Sequence, residues 1–484
     1  MATVNLTIDG KQVSVEAGTT VIAAAKKIGI DIPHYCYHPG LSIVGNCRMC
    51  LVEVEKAPKP MIGCSTLVAE GMVVNTASEK VKKMRASVME FLLINHPLDC
   101  PTCDQAGECR LQDYYMQYDQ VESRFKENKV EKDKMVYLGA NVMLDQERCV
   151  ACTRCIRLCK EVAGVDELAL AYRGDHVTIT TFPCRPLSNA YAGNVVDVCP
   201  VGALTSKDFR FKKRAWFLTK TKSICPGCAR GCNIEIHHEA GKVYRLIPRL
   251  NEEVNKYWMC DEGRYGYKPI NENRVLRAFF NKGNQASAIE ETSFEEALYA
   301  LKEELNNYSG DEVVVIGHLH ESNENLKALK EFAQNILKTN QLFYSENVVA
   351  NPSQDQILIS ADKNPNRRGA EALGFEPLQK LGKARVALVL NNLSEADLKI
   401  LNEKKITLAG LWAVNESALA KLAKVVMPIP SYAEQNGSFT NLDGKVQFFS
   451  QAFEPKGESR ILTDYLNILT EMIKGSQAVL SQAV

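Results

Sequence analysis

Residues 95–113 read NHPLDCPTCDQAGECRLQD. His96, Cys100, Cys103 and Cys109 stand here in the spacing H-x3-C-x2-C-x5-C. They follow residues 79–95, EKVKKMRASVMEFLLIN, whose apolar residues recur at helical spacing until Pro97 disfavours further helix. A lone histidine says little, because most are ordinary surface or core residues. One placed at a helix end just before a C-x2-C loop reads as the fourth ligand of a [4Fe–4S] cluster, beside three thiolates. Neutral imidazole in place of thiolate removes one negative charge from a cluster, which raises its potential. Zinc ligation and an unliganded histidine are the competing readings.

Upstream, VNLTIDGKQVSVE at 4–16 alternates apolar and polar residues about Asp9-Gly10, a hairpin signal. TTVIAAAKKIGI reads as a helix, and Leu51–Glu55 as a later strand. Hairpin, helix and strand together predict a small ferredoxin-type β-grasp domain over 1–78. Inside it lie Cys36, Cys47, Cys50 and Cys64, spaced C-x10-C-x2-C-x13-C, with the tight loop Gly45-Asn46-Cys47-Arg48-Met49-Cys50. This suits a [2Fe–2S] cluster, since small turn residues let backbone N–H groups approach the sulfurs; a four-thiolate zinc site is the alternative.

Downstream, the charged, aperiodic run ESRFKENKVEKDK predicts a connector between roughly 120 and 137. Cys149, Cys152 and Cys155 follow on one C-x2-C-x2-C loop, and Cys199-Pro200 closes the set after a long excursion, the ferredoxin scheme for [4Fe–4S]. PLSNAYAGNVVDV occupies the place where a two-cluster protein would carry its second triple, so one cluster fits; Cys159 and Cys184 stay unassigned. The last group is Cys225, Cys228, Cys232 and Cys260, spaced C-x2-C-x3-C-x27-C, which suits a further [4Fe–4S] with a zinc ribbon as its competitor.

All seventeen cysteines lie between Cys36 and Cys260, in a chain of 484 residues. Such length exceeds what one core usually supports and predicts several domains. Tight C-x2-C groups in a long chain favour metal ligation over disulfides. With Lys plus Arg and Asp plus Glu both 58, the charge argues against nucleic acid or a basic membrane-binding face and points to protein partners. The first residues, MATVNLTIDG, lack a signal-peptide pattern, and no stretch approaches the apolar length of a membrane span, so a soluble, unexported protein is expected. From about 275 the texture changes to alternating helices and strands: Ser293-x-x-Glu296 forms a capping box before EEALYALKEEL, and DEVVVIG, ARVALVL and KITLAGLWAV read as strands. A mostly parallel α/β layer follows from that order.

The four constellations in this order, with the stretches at 95–113 and GNVVDVCPVGALTSKDFRF at 193–211, resemble the G-subunit family of the proton-pumping NADH–quinone oxidoreductases, respiratory complex I. AEQNGSFTNLDGKVQ at 433–447 more weakly resembles the molybdopterin-oxidoreductase fold. The resemblance implies an α+β and α/β multidomain chain: a β-grasp [2Fe–2S] domain at 1–78, a one-His/three-Cys domain at 79–137, a ferredoxin-like [4Fe–4S] domain at 138–217, a Mo/W-oxidoreductase-type [4Fe–4S] domain at 218–274, and a reduced molybdopterin-oxidoreductase-like α/β domain at 275–484. It further implies an electron relay with one [2Fe–2S] and three [4Fe–4S] clusters, without flavin, molybdenum or a catalytic site of its own. Its partners would be the flavin/NADH-binding subunit, other peripheral-arm subunits and a downstream iron–sulfur subunit, and its place peripheral, on the cytoplasmic side of a bacterial inner membrane. No cysteine follows Cys260, so no thiolate from 261–484 reaches a molybdenum. The fourth cluster, by the same resemblance, sits aside from the main route. The rivals are an iron–sulfur subunit of an NAD-linked formate dehydrogenase or hydrogenase, and a zinc-stabilised scaffold protein.

Overall fold

The computed structural model describes residues 2–118, 122–281, 289–379 and 381–481. The chain divides into two compact units, Met1–Phe217 and Leu218–Val484.

The first unit begins with the strands Thr3–Ile8 and Lys11–Glu16, paired antiparallel from Thr3 opposite Glu16 to Ile8 opposite Lys11. Asp9 (φ 48°) and Gly10 (φ 79°) make the turn in the left-handed region, as a two-residue hairpin requires. Met72–Asn75 adds parallel to the first strand, and Leu51–Val54 then Met61–Ile62 complete a five-stranded sheet. The helix Val21–Lys27 closes over it, burying Val21, Ile22, Ala24 and Ala25 against Ile8, Val52 and Val74. Ser78 caps the next helix, Glu79–Leu93, by accepting from the Val81 N–H. That helix ends before His96-Pro97, as the proline predicts. The charged segment Glu122–Lys134 contains no helix or strand; residues 119–121, at its start, lie outside the described residues. Two short antiparallel sheets and the helices Arg154–Glu161 and Asn194–Val198 complete the unit.

The second unit opens with three antiparallel strands, Thr219–Ile224, Asn233–Glu239 and Lys242–Pro248, which carry the last cysteine group at one end. Beyond them lies an eight-stranded sheet in the order Ile289–Thr292, Ala278–Asn281, Val425–Pro428, Thr407–Ala413, Val386–Leu390, Val313–His318, Leu342–Ser345, Glu376–Pro377. The last six run parallel; the first two form an antiparallel hairpin on one edge. Val313–His318 is buried at every residue, which explains its continuous apolar run. Helices Phe294–Leu305, Asn323–Asn335 and Leu462–Ser481 pack on one face through Leu298, Leu301, Leu326, Leu329, Leu466 and Leu469. The other face is covered around Leu378, Leu381, Leu401 and Leu419.

At the expected capping box the Glu296 carboxylate accepts from the Ser293 backbone N–H. Ser293 Oγ accepts from the Glu296 N–H at 3.2 Å, while the Glu296 carboxylate also accepts from the Thr292 hydroxyl.

Candidate iron–sulfur sites

The first group hangs on loops flanking the five-stranded sheet. Cys36, Cys50 and Cys64 are fully buried and Cys47 partly so. The thiols hydrogen-bond in two pairs, Cys36 with Cys47 and Cys50 with Cys64. The hydrogen bond from Cys47 lowers the Cys36 thiol to about 5, and that from Cys64 lowers Cys50. Two close pairs match two irons, each held by two thiolates. Gly45 (φ 61°) turns in the left-handed region that favours glycine.

In the second group His96, Cys100, Cys103 and Cys109 line one cavity of about 420 Å³. His96 follows the helix end, Cys100 opens a single 3₁₀ turn, and Cys109 immediately precedes the helix Arg110–Tyr118. Burial first, then the positive charge of Arg148, pushes His96 down to about 4, so its imidazole is neutral, the form that ligates metal. Burial pushes the Cys109 thiol up to about 11 and raises Cys103 as well. Such thiols become thiolates at neutral pH only when a cation replaces the proton. Gly202 borders the cavity, and a Cβ on it would lie 2.3 Å from Cys103 Sγ.

The third group brings Cys149, Cys152, Cys155 and Cys199 into mutual electrostatic contact. Ala151 (φ 48°) and Thr153 (φ 60°) wind the loop through the left-handed region. Its turn aims the Ala151 N–H at Cys149 Sγ, 3.4 Å away. Cys155 lies on the first turn of Arg154–Glu161, and Cys199 ends Asn194–Val198. Cys159, fully buried on the same helix, has the Asn189 amide 4.0 Å from its sulfur, and burial lifts it to about 12; Cys184 is exposed.

In the fourth group Cys225, Cys228, Cys232 and Cys260 line one small cavity, together with Lys363 and Gly263. Cys260 caps the short helix Asp261–Tyr265, its sulfur accepting from the Gly263 N–H at 3.4 Å. A Cβ on Gly263 would stand 2.8 Å from Cys225 Sγ. Lys363, its side chain 3% exposed, is held 2.7 Å from Glu262.

Residues invisible to motif reading join the first three groups. Arg157 donates to the carbonyls of Cys36 (2.6 Å) and Cys152 (3.3 Å), spanning the first and third groups, and Asn46 donates to Ala151 O at 3.2 Å. Arg148, the neighbour of Cys149, forks onto Asp99 at 2.7 and 2.9 Å beside Cys100, and the Arg110 N–H donates to Pro200 O at 3.2 Å, joining the third group to the second. The third group therefore adjoins both the first and the second, and the first adjoins the second as well, since the Tyr35 ring beside Cys36 meets Tyr114 on the helix after Cys109 at 5.4 Å. Among the described residues, no three His, Cys, Asp or Glu side chains converge on a point where one metal ion would sit.

Fold and cysteine loops define a chain of iron–sulfur cluster-binding domains, and family comparisons give the class domain by domain. Residues 1–79 match the 2Fe-2S iron-sulfur cluster binding domain, 85–124 the NADH-ubiquinone oxidoreductase-G iron-sulfur binding region, 139–205 the ferredoxin-like domain of NADH-quinone oxidoreductase subunit 3, 218–268 the NDSU1/NuoG-like 4Fe-4S domain, and 381–471 molybdopterin oxidoreductase. The chain is 44% identical over 335 residues to the G subunit of NADH-quinone oxidoreductase from Rickettsia bellii (strain RML369-C), covering 69% of this chain and 48% of the relative. It is 42% identical over 338 residues to that of Rickettsia conorii, covering 70% and 50%. The chain belongs to the family of NADH-quinone oxidoreductase G subunits, and it spans about half the length of the curated relatives it matches. A chain of an NAD+-reducing [NiFe]-hydrogenase in the H2-reduced state is 27% identical, with a TM-score of 0.40, covering 44% of this chain and 91% of that one.

Proposed function

We propose that this chain is the electron relay of an NADH–quinone oxidoreductase, taking electrons from an NADH-reduced flavin on a partner subunit and handing them on towards quinone, with proton translocation coupled in the whole complex. The observation that carries the reading is the bridging of three cysteine groups within one compact unit, by Arg157 on one side and Arg148 on the other. The cofactors are one [2Fe–2S] on Cys36, Cys47, Cys50 and Cys64, and three [4Fe–4S] on His96, Cys100, Cys103 and Cys109; on Cys149, Cys152, Cys155 and Cys199; and on Cys225, Cys228, Cys232 and Cys260. Bound there, they would supply one-electron redox chemistry over roughly −700 to +450 mV. The chain's own residues set where each site falls in that range. N–H groups of Ala151 and Gly263 pointing at sulfur favour the reduced, more negative state, and burial withdraws water from the cysteines. The bridges support a route from the first group through the third to the second.

The finer domain limits proposed are 1–78, 79–137, 138–217, 218–274 and 275–484. We place the chain peripherally on the cytoplasmic side of a bacterial inner membrane, held by flavin-bearing and further iron–sulfur subunits. Among the described residues no helix is long and apolar enough to cross a membrane, which accords with attachment through those subunits. The test is elemental: anaerobically purified chain should hold about fourteen irons with matching sulfide. Zinc in their place without sulfide, or stoichiometric molybdenum, overturns the reading.

A further inference from the structure

Two arginines without a carboxylate partner stand between the first and third cysteine groups. Arg154 and Arg157 are neighbours at i and i+3 on the helix Arg154–Glu161, and both are buried, 5% and 9% exposed. Arg154 donates to the carbonyls of Val198 (3.0 Å) and Tyr37. Arg157 donates to the carbonyls of Ser42, Cys36 and Cys152 and to the Thr153 hydroxyl. Every one of these acceptors is neutral.

Among the described residues no Asp or Glu pairs with either guanidinium. Glu161, at the end of the same helix, is engaged elsewhere: its carboxylate accepts from the Ser42 N–H at 2.8 Å and from the Ser42 hydroxyl. Arg110 adds a further positive charge that acts on Arg154. Arg148 is different, because Asp145 at 2.8 Å and Asp99 at 2.7 Å neutralise it.

A buried charge is costly unless an opposite charge answers it, and carbonyl oxygens supply hydrogen bonds without net charge. Two such cations on one helical turn therefore call for negative charge nearby. Sulfur is within reach. The charge of Arg157 acts on Cys36 and Cys152, and that of Arg154 on Cys36, Cys152 and Cys199. Each arginine thus faces a cysteine of the first group and one of the third at once. A cluster held by four thiolates is negative overall and becomes more so on reduction, which makes its potential sensitive to local charge.

We propose that Arg154 and Arg157 are the shared countercharge of the first and third clusters, two fixed positive charges that stabilise the reduced form of each and move their midpoint potentials together. The proposal rests on the assignment of clusters to those two cysteine groups. Its consequence is that an electron passing from one site to the other stays beside the same buried cations, so no countercharge has to move with it.

The test is a redox titration followed by electron paramagnetic resonance on the anaerobically purified full chain, after its iron and sulfide have been measured. Arg157→Gln should lower the midpoints of the first and third groups together and leave the second and fourth in place. Each should fall by about 59 mV, a tenfold loss in the one-electron reduction equilibrium. Arg154→Gln should do the same. Arg157→Lys and Arg154→Lys keep the charge and should hold all four midpoints near wild type. If the glutamine variants fail to assemble these two clusters, their assembly in the lysine variants at wild-type midpoints supports the proposal, since charge alone then restores the sites. Unmoved midpoints in both glutamine variants, a shift confined to one group, equal shifts in the glutamine and lysine variants, or loss of the first or third signal from both lysine variants would each overturn it. Wild-type chain without iron and sulfide would overturn the cluster assignment beneath it, whereas clusters present at unmoved midpoints overturn the countercharge alone.

Discussion

Replacing Gly202 by alanine adds one carbon where the structure leaves no space for it. The new Cβ would lie 2.3 Å from Cys103 Sγ and 3.1 Å from Gln105 Cβ, roughly an ångström short of ordinary contact with the sulfur. Gly202 is absent from the residues with positive φ, so no backbone strain confounds the steric effect. Neither neighbour yields easily: Cys103 is buried, its carbonyl accepts from Arg214 at 2.6 Å, and Gln105 donates to Glu108 O at 3.2 Å. Overpacking of this kind costs about 1–3 kcal/mol. Because the displaced atom is a proposed ligand, the damage should fall on one site. In anaerobic protein followed by electron paramagnetic resonance, Gly202→Ala should lose or broaden the signal of the second group and keep the other three. Gly263→Ala, with its Cβ 2.8 Å from Cys225 Sγ, intrudes less and should disturb the fourth group more mildly. A full four-signal spectrum from Gly202→Ala, at wild-type potentials and stability, would refute the packing argument and the placement of Cys103 together.

His96→Cys adds a thiolate charge to the second site and should lower that site's midpoint on the order of 100 mV, whereas His96→Ala should lose the cluster; a redox titration that finds both variants unchanged removes His96 from the ligand set. Arg274 and Glu434 form a buried bidentate pair at 3.0 and 2.7 Å, so Glu434→Ala should cost about 3–5 kcal/mol in chemical denaturation, and adding Arg274→Met should recover part of that loss. His237 is lowered to about 3 by burial and then by Arg245, whose Nε donates to its Nδ1 at 3.1 Å. The unfolded chain therefore binds the extra proton first. Stability should be fully present above about pH 6.5 and fall as pH drops towards 3, and His237→Gln should flatten that limb of a pH–denaturation profile.

Local chemistry wrote most of what could be read from the sequence. Asp9-Gly10 announces its hairpin because a two-residue turn demands left-handed backbone, and Val386–Leu390 announces a covered parallel strand through its unbroken apolar run. The four His and Cys groupings that the structure gathers are legible for the same reason, since their loops are short and their C-x2-C spacing is regular. What escaped is long-range. Arg157 lies 121 residues from Cys36, Gly202 looks like any other glycine, and no periodicity says that the third group adjoins both the first and the second. The helix Leu462–Ser481 and the three-stranded sheet of Thr219–Pro248 carry patterns that sequence reading passed over.

The ligand groups do not interleave along the chain: residues 36–64, 96–109, 149–199 and 225–260 follow one another without overlap. A ribosome releases the chain from its beginning, at about 5–20 residues per second. Each set of cysteines is thus complete in the emerging chain before the first cysteine of the next appears, which limits the partners available for wrong ligation. Arg148 and Arg157 emerge with the third set, and their carboxylate and carbonyl partners hold that set beside the second and the first. Order of emergence and neighbourhood in space are in this way separate properties of one chain, the first set by distance along the backbone and the second by long-range contacts such as those of two guanidinium groups.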